Sequence, residues 1–345
     1  MTIKRLNKKI LIPICVMAII SIITIYSALT YTSSELGNLA LKQALWYFIG
    51  ALLVAFLIHM KNEYLYRHTI FLYVIGNILL LGLLLFADPV NNSKCWFTIP
   101  GIGSIQPSEF MKIFLMLMLA TMIHNFRSDY NNPSVKEEFV FILKSFAIVL
   151  IPSILTFLQP DTGAVIIYFI IYFCMMFVSG IRLRWFLIAG GVLVAILAFV
   201  FGVFFINQDL FINLFGTNLF YRFERIFSWK SGTGLQLENA LAAIGSAGFF
   251  GHGFNQTPIY FPESSTDFIF AVFASNFGLF GVFLLLGVII YFDTQIVMLA
   301  KRKLVDTDKY ILAGILGMLL FQQIQNIGTV SYTHLRAHET GRNLV

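Results

Sequence analysis

Charge is scarce in this chain. Asp, Glu, Lys and Arg together make up 12% of its 345 residues, about half the share of an ordinary soluble domain. A surface so poor in charge cannot face water all round, which excludes a soluble enzyme or a freely diffusing binding module. Cysteine is nearly absent too. Cys15, Cys95 and Cys174 are odd in number and two of them lie inside apolar runs, so no disulfide framework is expected, and Cys95 reads as a free external thiol. The six histidines, His59, His68, His124, His252, His334 and His338, have no ligand spacing, which argues against a zinc centre built from them.

What fills the space is apolar bulk: 58% hydrophobic residues and a mean hydropathy of +0.83. The chain therefore reads as an all-α polytopic membrane protein. Runs long enough to cross a hydrocarbon layer of about 30 Å fall near 10–30, 40–59, 69–87, 108–124, 139–158, 163–181, 185–207, 268–292 and 310–329. That predicts about nine helices in one transmembrane domain over 1–330. Strands of a β-barrel would be half as long and would alternate polar with apolar residues, which these runs do not. The first run follows Lys4, Arg5, Lys8 and Lys9 but has no cleavage site, so it is expected to stay as a helix rather than leave as a signal peptide.

The pI of about 9.1 does not imply a nucleic-acid partner, because the basic residues sit in alternate connectors. Lys4, Arg5, Lys8 and Lys9 precede the first run. Lys61 and Arg67, then Arg127 and Lys136, then Arg182 and Arg184, and finally Lys301, Arg302, Lys303 and Lys309 follow at every second turn. By the positive-inside rule these connectors, and the N-terminus, are cytoplasmic in the plasma membrane. The segments 88–107, 159–162 and 208–267 then face outward.

The 208–267 connector is too long for a simple turn between packed helices. Phe220, Tyr221, Phe223, Phe227 and Trp229 beside Arg222, Arg225 and Lys230 read as an interfacial segment able to hold anionic phosphate, or as a plain aromatic anchor. Leu237 to Ile244 predicts a short amphipathic helix ended by glycines at 245, 248, 251 and 253, which serve either tight turns or close approach of the backbone to another group.

Three polar, proline-anchored islands remain. In the first, Pro107 suits the opening of a helix, Glu109 falls in its first turn, and Lys112 lies three residues on along the same face. The pair is either a structural ion pair or a substrate contact, and Trp96 before it is either an interface anchor or a stacking platform. In the second, Gln159-Pro160-Asp161-Thr162-Gly163 predicts a tight turn with Asp161 capping the next helix. In the third, Asp267 lies where a helix begins at the apolar boundary. Either Thr266 or Asp267 merely caps that helix, or Asp267 accepts a proton or holds a cation.

Read together, Trp96 to Lys112, the Gln159 to Gly163 turn, Ala242-Ala243-Ile244-Gly245-Ser246 with Gly251-His252-Gly253, and Pro262-Glu263 with Thr266 to Phe270 closely resemble the SEDS family of shape, elongation, division and sporulation proteins, which includes RodA and FtsW. The resemblance covers about 10–330 and, around Ser104 to Lys112, is closer to RodA. It implies ten spans and a peptidoglycan glycosyltransferase that polymerises lipid II outside the cytoplasmic membrane, working with a class B penicillin-binding transpeptidase. It implies that Asp267 is catalytic and that Trp96, Gln106, Glu109, Lys112 and Asp161 line the cavity. Arg222, Arg225 and Lys230, Lys112, or a divalent cation such as Mg or Mn, would neutralise the pyrophosphate.

Two departures stand out. Ser265 occupies the place of a family histidine, and Ser331 to Thr340 is unlike any part of the family. The stretch 331–345 reads as sequence foreign to the gene, with the last external loop and tenth span expected to be missing. Two rival functions are a lipid II flippase, disfavoured because the runs show no discontinuous helix and few midplane charges, and a non-catalytic scaffold for the transpeptidase.

Overall fold

The apolar runs form helices because a backbone in hydrocarbon must satisfy its own N–H and C=O groups. A computed structural model describes residues 7–28, 37–59, 62–87, 94–99, 103–217, 220, 234–261, 263–302 and 306–329. Its elements are α1 (Lys8–Ala28), α2 (Gly37–His59), α3 (Asn62–Arg67), α4 (Thr69–Phe86), β1 (Phe97–Ile99), β2 (Gly103–Ile105), α5 (Pro107–Asp129), α6 (Val135–Leu158), α7 (Thr162–Val178), α8 (Leu183–Ile206), α9 (Gln208–Phe215), α10 (Gly234–Ser246), α11 (Ile269–Ala300) and α12 (Asp306–Thr329). Eight of these helices are long and apolar enough to span a membrane, and α7, at 17 residues, is a shorter apolar ninth. The chain is a multi-pass α-helical membrane protein.

Local sequence sets the helix starts. Pro107 occupies the first turn of α5, where its missing N–H costs nothing. Ser134 and Glu137 form a reciprocal capping box on α6, with Glu137 accepting from Ser134 N at 2.6 Å and Ser134 Oγ from Glu137 N at 3.3 Å. The short helices α3 and α9 and a pair of strands were not foreseen. The segment before α5 is a β-hairpin in which Phe97 pairs with Ile105 and Ile99 with Gly103; the Pro100-Gly101 turn signal is its mark in the sequence.

Contacts divide the chain into two units, Met1–Ser179 with Asn239–Val345, and Gly180–Glu238. In the first, α12 packs on α7, α5 and α11, α11 packs on α1, and α4 packs on α5. Gly76 of α4 meets Met111 and Phe114 of α5 so closely that an added Cβ would stand 2.6 Å from Met111 Sδ; small residues let membrane helices approach in this way. Tyr66 of α3 donates to Asp308 Oδ1 at the start of α12. Burial, with the bond to Asp308 and its charge adding to it, pushes the Tyr66 phenol well above its usual range, so this donor keeps its proton. Within the second unit, Phe204 of α8, Phe211 of α9 and Phe220 form an aromatic cluster, and Asn207 caps α9 by accepting from Leu210 N at 2.9 Å.

The expectation of uninterrupted helices is wrong for α11. At Gly278 the backbone leaves helical geometry, with φ 63° and ψ −167°. In an unbroken helix Leu279 N and Phe280 N would donate to Ser275 O and Asn276 O. Here they donate to Gly248 O at 3.1 Å and Phe249 O at 3.0 Å, while Ser275 O and Asn276 O accept from His252 N at 2.9 Å and Gly253 N at 3.1 Å. The glycine loop after α10 thus inserts into the ladder of α11 and supplies partners for both of these lost bonds. The glycines permit close approach, but to another helix: a Cβ on Gly251 would lie 2.3 Å from Asn276 O, and one on Gly278 would lie 2.3 Å from Gly251 N.

Candidate functional site

The first two islands fuse into one polar plate. Asp161 is the N-cap of α7, its Oδ1 accepting from Ala164 N at 3.0 Å. Its Oδ2 accepts from Gln106 Nε2 at 2.7 Å and Ser108 Oγ at 3.1 Å. One carboxylate therefore holds the start of α7 and the start of α5 together, and charge-assisted bonds of this kind are the strong ones. Behind it, Tyr168 OH donates to Ser108 O at 3.1 Å. Fully buried Gln159 donates from Nε2 to Leu80 O at 2.7 Å, and Cys95 Sγ donates to Gln159 O at 2.9 Å. Cys95 is thus a thiol in no disulfide, buried beside the hairpin rather than exposed.

Lys112 sits deeper. Its Nζ lies 2.7 Å from both carboxylate oxygens of Glu109, with the Lys112 side chain 2% exposed and that of Glu109 54% exposed. The geometry is that of a neutralised pair whose acid faces out. In this arrangement the ammonium acts on anything above it only through Glu109. Trp96, immediately before β1, is 38% exposed, as a ring available for stacking requires.

The third island is built differently. Glu263 adopts a positive φ of 54°, a conformation that costs a side-chain-bearing residue about 1 kcal/mol or more and gathers at functional sites. Its carbonyl accepts from Thr266 N at 3.2 Å and Phe268 N at 3.1 Å, and its Oε2 from Thr266 Oγ1 at 2.9 Å. The N-cap of α11 is Phe268, which makes no side-chain cap, so neither Thr266 nor Asp267 occupies the capping position. Asp267 lies one residue ahead of it, partly exposed. Ser264 Oγ donates to Ala28 O at 3.5 Å at the end of α1, beside a small crevice lined by Ser27, Thr257, Tyr260, Ser264 and Val272.

Helix directions put the islands at one end of the bundle. The hairpin makes α4 and α5 antiparallel, so α3, which leads into α4 and packs on α5, lies near the C-terminal end of α5. The Tyr66–Asp308 bond starts α12 there. A short connector then makes α11 run parallel to α5, so Asp267, Glu109 and Asp161 all stand at the N-terminal ends of their helices on the same side. Gln106, Asp161, Glu109 and Lys112 are brought together, whereas the Asp267 turn is anchored to α1. Arg222, Arg225 and Lys230 lie outside the described residues. Ser108, Tyr168 and Gln159 are members of the plate that were not singled out as site residues. Tyr168 had a legible signal: it is a hydroxyl inside an apolar run, seven residues from Asp161 and hence on the same helix face. Among the described residues no group of three or more His, Cys, Asp or Glu side chains forms a donor set for a metal ion.

The family model of the FtsW/RodA/SpoVE cell cycle proteins matches residues 8–333. The chain belongs to this family. Its relatives include proteins named probable peptidoglycan glycosyltransferase FtsW from Lactococcus lactis, 27% identical over 94% of this chain and 83% of the relative, and from Buchnera aphidicola, 30% identical over 84% and 80%. Among solved structures, a chain from a peptidoglycan synthase complex that coordinates polymerisation and crosslinking aligns with a TM-score of 0.75, 21% identity and coverage of 94% and 87%. Thermus thermophilus rod shape determining protein RodA aligns with a TM-score of 0.67, 21% identity and coverage of 97% and 88%. These likenesses support the fold; the sequence relatives named above carry the FtsW name and one of the solved structures the RodA name.

Proposed function

We propose that this SEDS-family protein is a membrane-embedded glycosyltransferase that polymerises lipid II into glycan strands at the outer face of the cytoplasmic membrane, in the service of cell elongation and shape. The observation that carries the reading is a family match over 8–333 on a chain whose three polar islands stand at one end of the bundle. The alternation of basic connectors makes that end external and the N-terminus cytoplasmic. A polyprenyl tail would then lie in the bilayer while the sugars meet Asp267, Glu109 and Trp96 above it.

Chain growth requires the acceptor sugar's 4-hydroxyl to attack the donor's anomeric carbon as the bond to the lipid pyrophosphate breaks. Asp267 takes the hydroxyl proton as general base, a step that contributes about 10²–10⁴ in rate, and direct displacement gives a single inversion by analogy with inverting glycosidases. Arg222, Arg225 and Lys230 of the 208–267 connector neutralise the departing pyrophosphate. Lys112, already committed to Glu109, is reassigned to holding that acid in place. A Mg or Mn ion is the other source of neutralising charge; lacking a three-ligand protein set among the described residues, it would be carried chiefly by pyrophosphate oxygens. The partner is a class B penicillin-binding transpeptidase, which crosslinks the strands.

The break in α11 removes one objection to a flippase, yet it does not favour one. Transporters leave the ends of their broken helices open to substrate, whereas here Leu279 N, Phe280 N, Ser275 O and Asn276 O at the break are taken by the glycine loop. The test is Asp267→Ala, reconstituted with the transpeptidase and supplied with fluorescent lipid II. Glycan polymer should fall about 10²-fold or more. Undiminished polymer would overturn the general-base role and leave a scaffold, and lipid II movement across vesicles without polymer in the parent protein would leave a flippase.

A further inference from the structure

We infer that Asn276 is the positioning residue for Asp267, an inference that rests on the catalytic reading of that aspartate. Asn276 is 1% exposed and lies in α11 directly ahead of the break at Gly278. Its Nδ2 donates to Ser27 Oγ near the end of α1. Its Oδ1 accepts from Thr257 Oγ1 at 3.0 Å, in the loop that leads to the Asp267 turn. Thr257 and Ser27 are themselves 4% and 1% exposed, so both bonds are shielded from water and neither partner has solvent to replace the other.

The placement matters because of where these residues fall in the chain. Thr257 comes ten residues before Asp267 and Asn276 nine after it. One amide therefore closes the whole segment that presents the aspartate, and in the same stroke fixes it to a second helix. The Asn276 node and the bond from Ser264 to Ala28 O both tie this segment to α1, and of the two only the Asn276 node lies at its base beside the break. Beyond Gly278 the helix's own hydrogen-bond ladder is interrupted, so the segment Ile269–Phe277 cannot take its position from the rest of α11 by helical continuity; it takes it from the glycine loop and from the Asn276 node. Inside the closed segment the turn is already specified, by Glu263 O accepting two N–H groups and by Phe261 packing edge to face on Phe268 at 6.1 Å. What remains to be set is the location of that preformed turn as a body. Two side-chain bonds at its base set it, together with the bond from Ser264 Oγ to Ala28 O.

Such a residue never touches substrate, and its loss should appear in turnover rather than in binding. In the full-length protein with its transpeptidase, Asn276→Ala should lower kcat at least about tenfold while the KM for lipid II stays within about twofold, since displacement of a reacting group by about 1 Å can cost 10²-fold. Asn276→Asp has the same shape and, kept neutral by its burial, retains a carbonyl acceptor for Thr257 and an O–H donor for Ser27, so it should recover kcat to within about threefold of the parent. Thr257→Val removes only the strap to the loop and should give an intermediate fall; it decides the matter if Asn276→Ala does not fold. A folded, partner-bound Asn276→Ala protein with parental kcat, or an Asn276→Asp protein as impaired as Asn276→Ala, would overturn the inference. Asp267→Ala in the same assay separates the two levels. If it retains polymer, the general-base reading fails first; if it is inactive while Asn276→Ala and Thr257→Val turn over normally, only the positioning inference fails.

Discussion

Glu109 and Lys112 show how much of a site can be read from spacing and how much cannot. Their three-residue separation puts them on one helix face, and they do meet; which of the two would be buried is not in the spacing, because it depends on what α5 packs against. The burial of Lys112 makes a directional prediction. Glu109→Gln leaves a cation in a dry place with its charge unmatched, and should cost about 1–3 kcal/mol of stability, less than a fully buried pair because Glu109 itself is half exposed. Adding Lys112→Met removes the stranded charge and should recover at least half of that loss. Thermal unfolding in detergent checks both, and a double variant less stable than the single would show that Lys112 is held by something other than Glu109. Asp161 teaches the same lesson. Its cap on α7 is local and was legible in Gln-Pro-Asp-Thr-Gly, whereas its bonds to Gln106 and Ser108 join residues 55 and 53 apart in sequence, a pairing that only the packing of α5 on α7 creates.

At the scale of elements, the existence and order of the helices follow from apolar runs, since nothing else satisfies a backbone in hydrocarbon. The break in α11 escapes that logic. Residues 268–292 form one apolar run, and glycine is common enough in membrane helices that Gly278 carries no signal by itself. Its meaning lies in the second glycine segment, which stands 25 residues and more away. Gly278 holds a conformation that essentially only glycine adopts, and any Cβ there would strike Gly251 N at 2.3 Å. Gly278→Ala should therefore cost at least about 3 kcal/mol, as strain and a forced separation of the loop from α11 combine. Gly287→Ala in the same helix meets open space and should be neutral or slightly stabilising, by up to about 1 kcal/mol. Folded yield and melting temperature of the two variants compare them directly. Equal behaviour would mean that the loop and the helix are not interlocked.

For the whole molecule the governing quantity is the side of the membrane on which each connector lies. The alternation of basic connectors predicts it, and the helix directions place Asp267, Glu109 and Asp161 together at the end opposite the Arg127 and Lys136 connector. Cysteine labelling checks the sidedness without reference to activity. In a background with Cys15 and Cys174 replaced by alanine and Cys95 by serine, which keeps a donor for Gln159 O, Ser104→Cys sits in the exposed hairpin and Asn132→Cys in the exposed connector between α5 and α6. A membrane-impermeant maleimide added to intact cells should modify the first and spare the second until the cells are opened. The reverse pattern would put the polar plate and Asp267 in the cytoplasm, where glycan polymer cannot be laid down on a cell wall, and the basic connectors outside, against the bias that sets topology. The proton-abstracting role of Asp267 and the positioning role of Asn276 both require the hairpin side to be external, so this one measurement bears on every chemical step assigned to the protein.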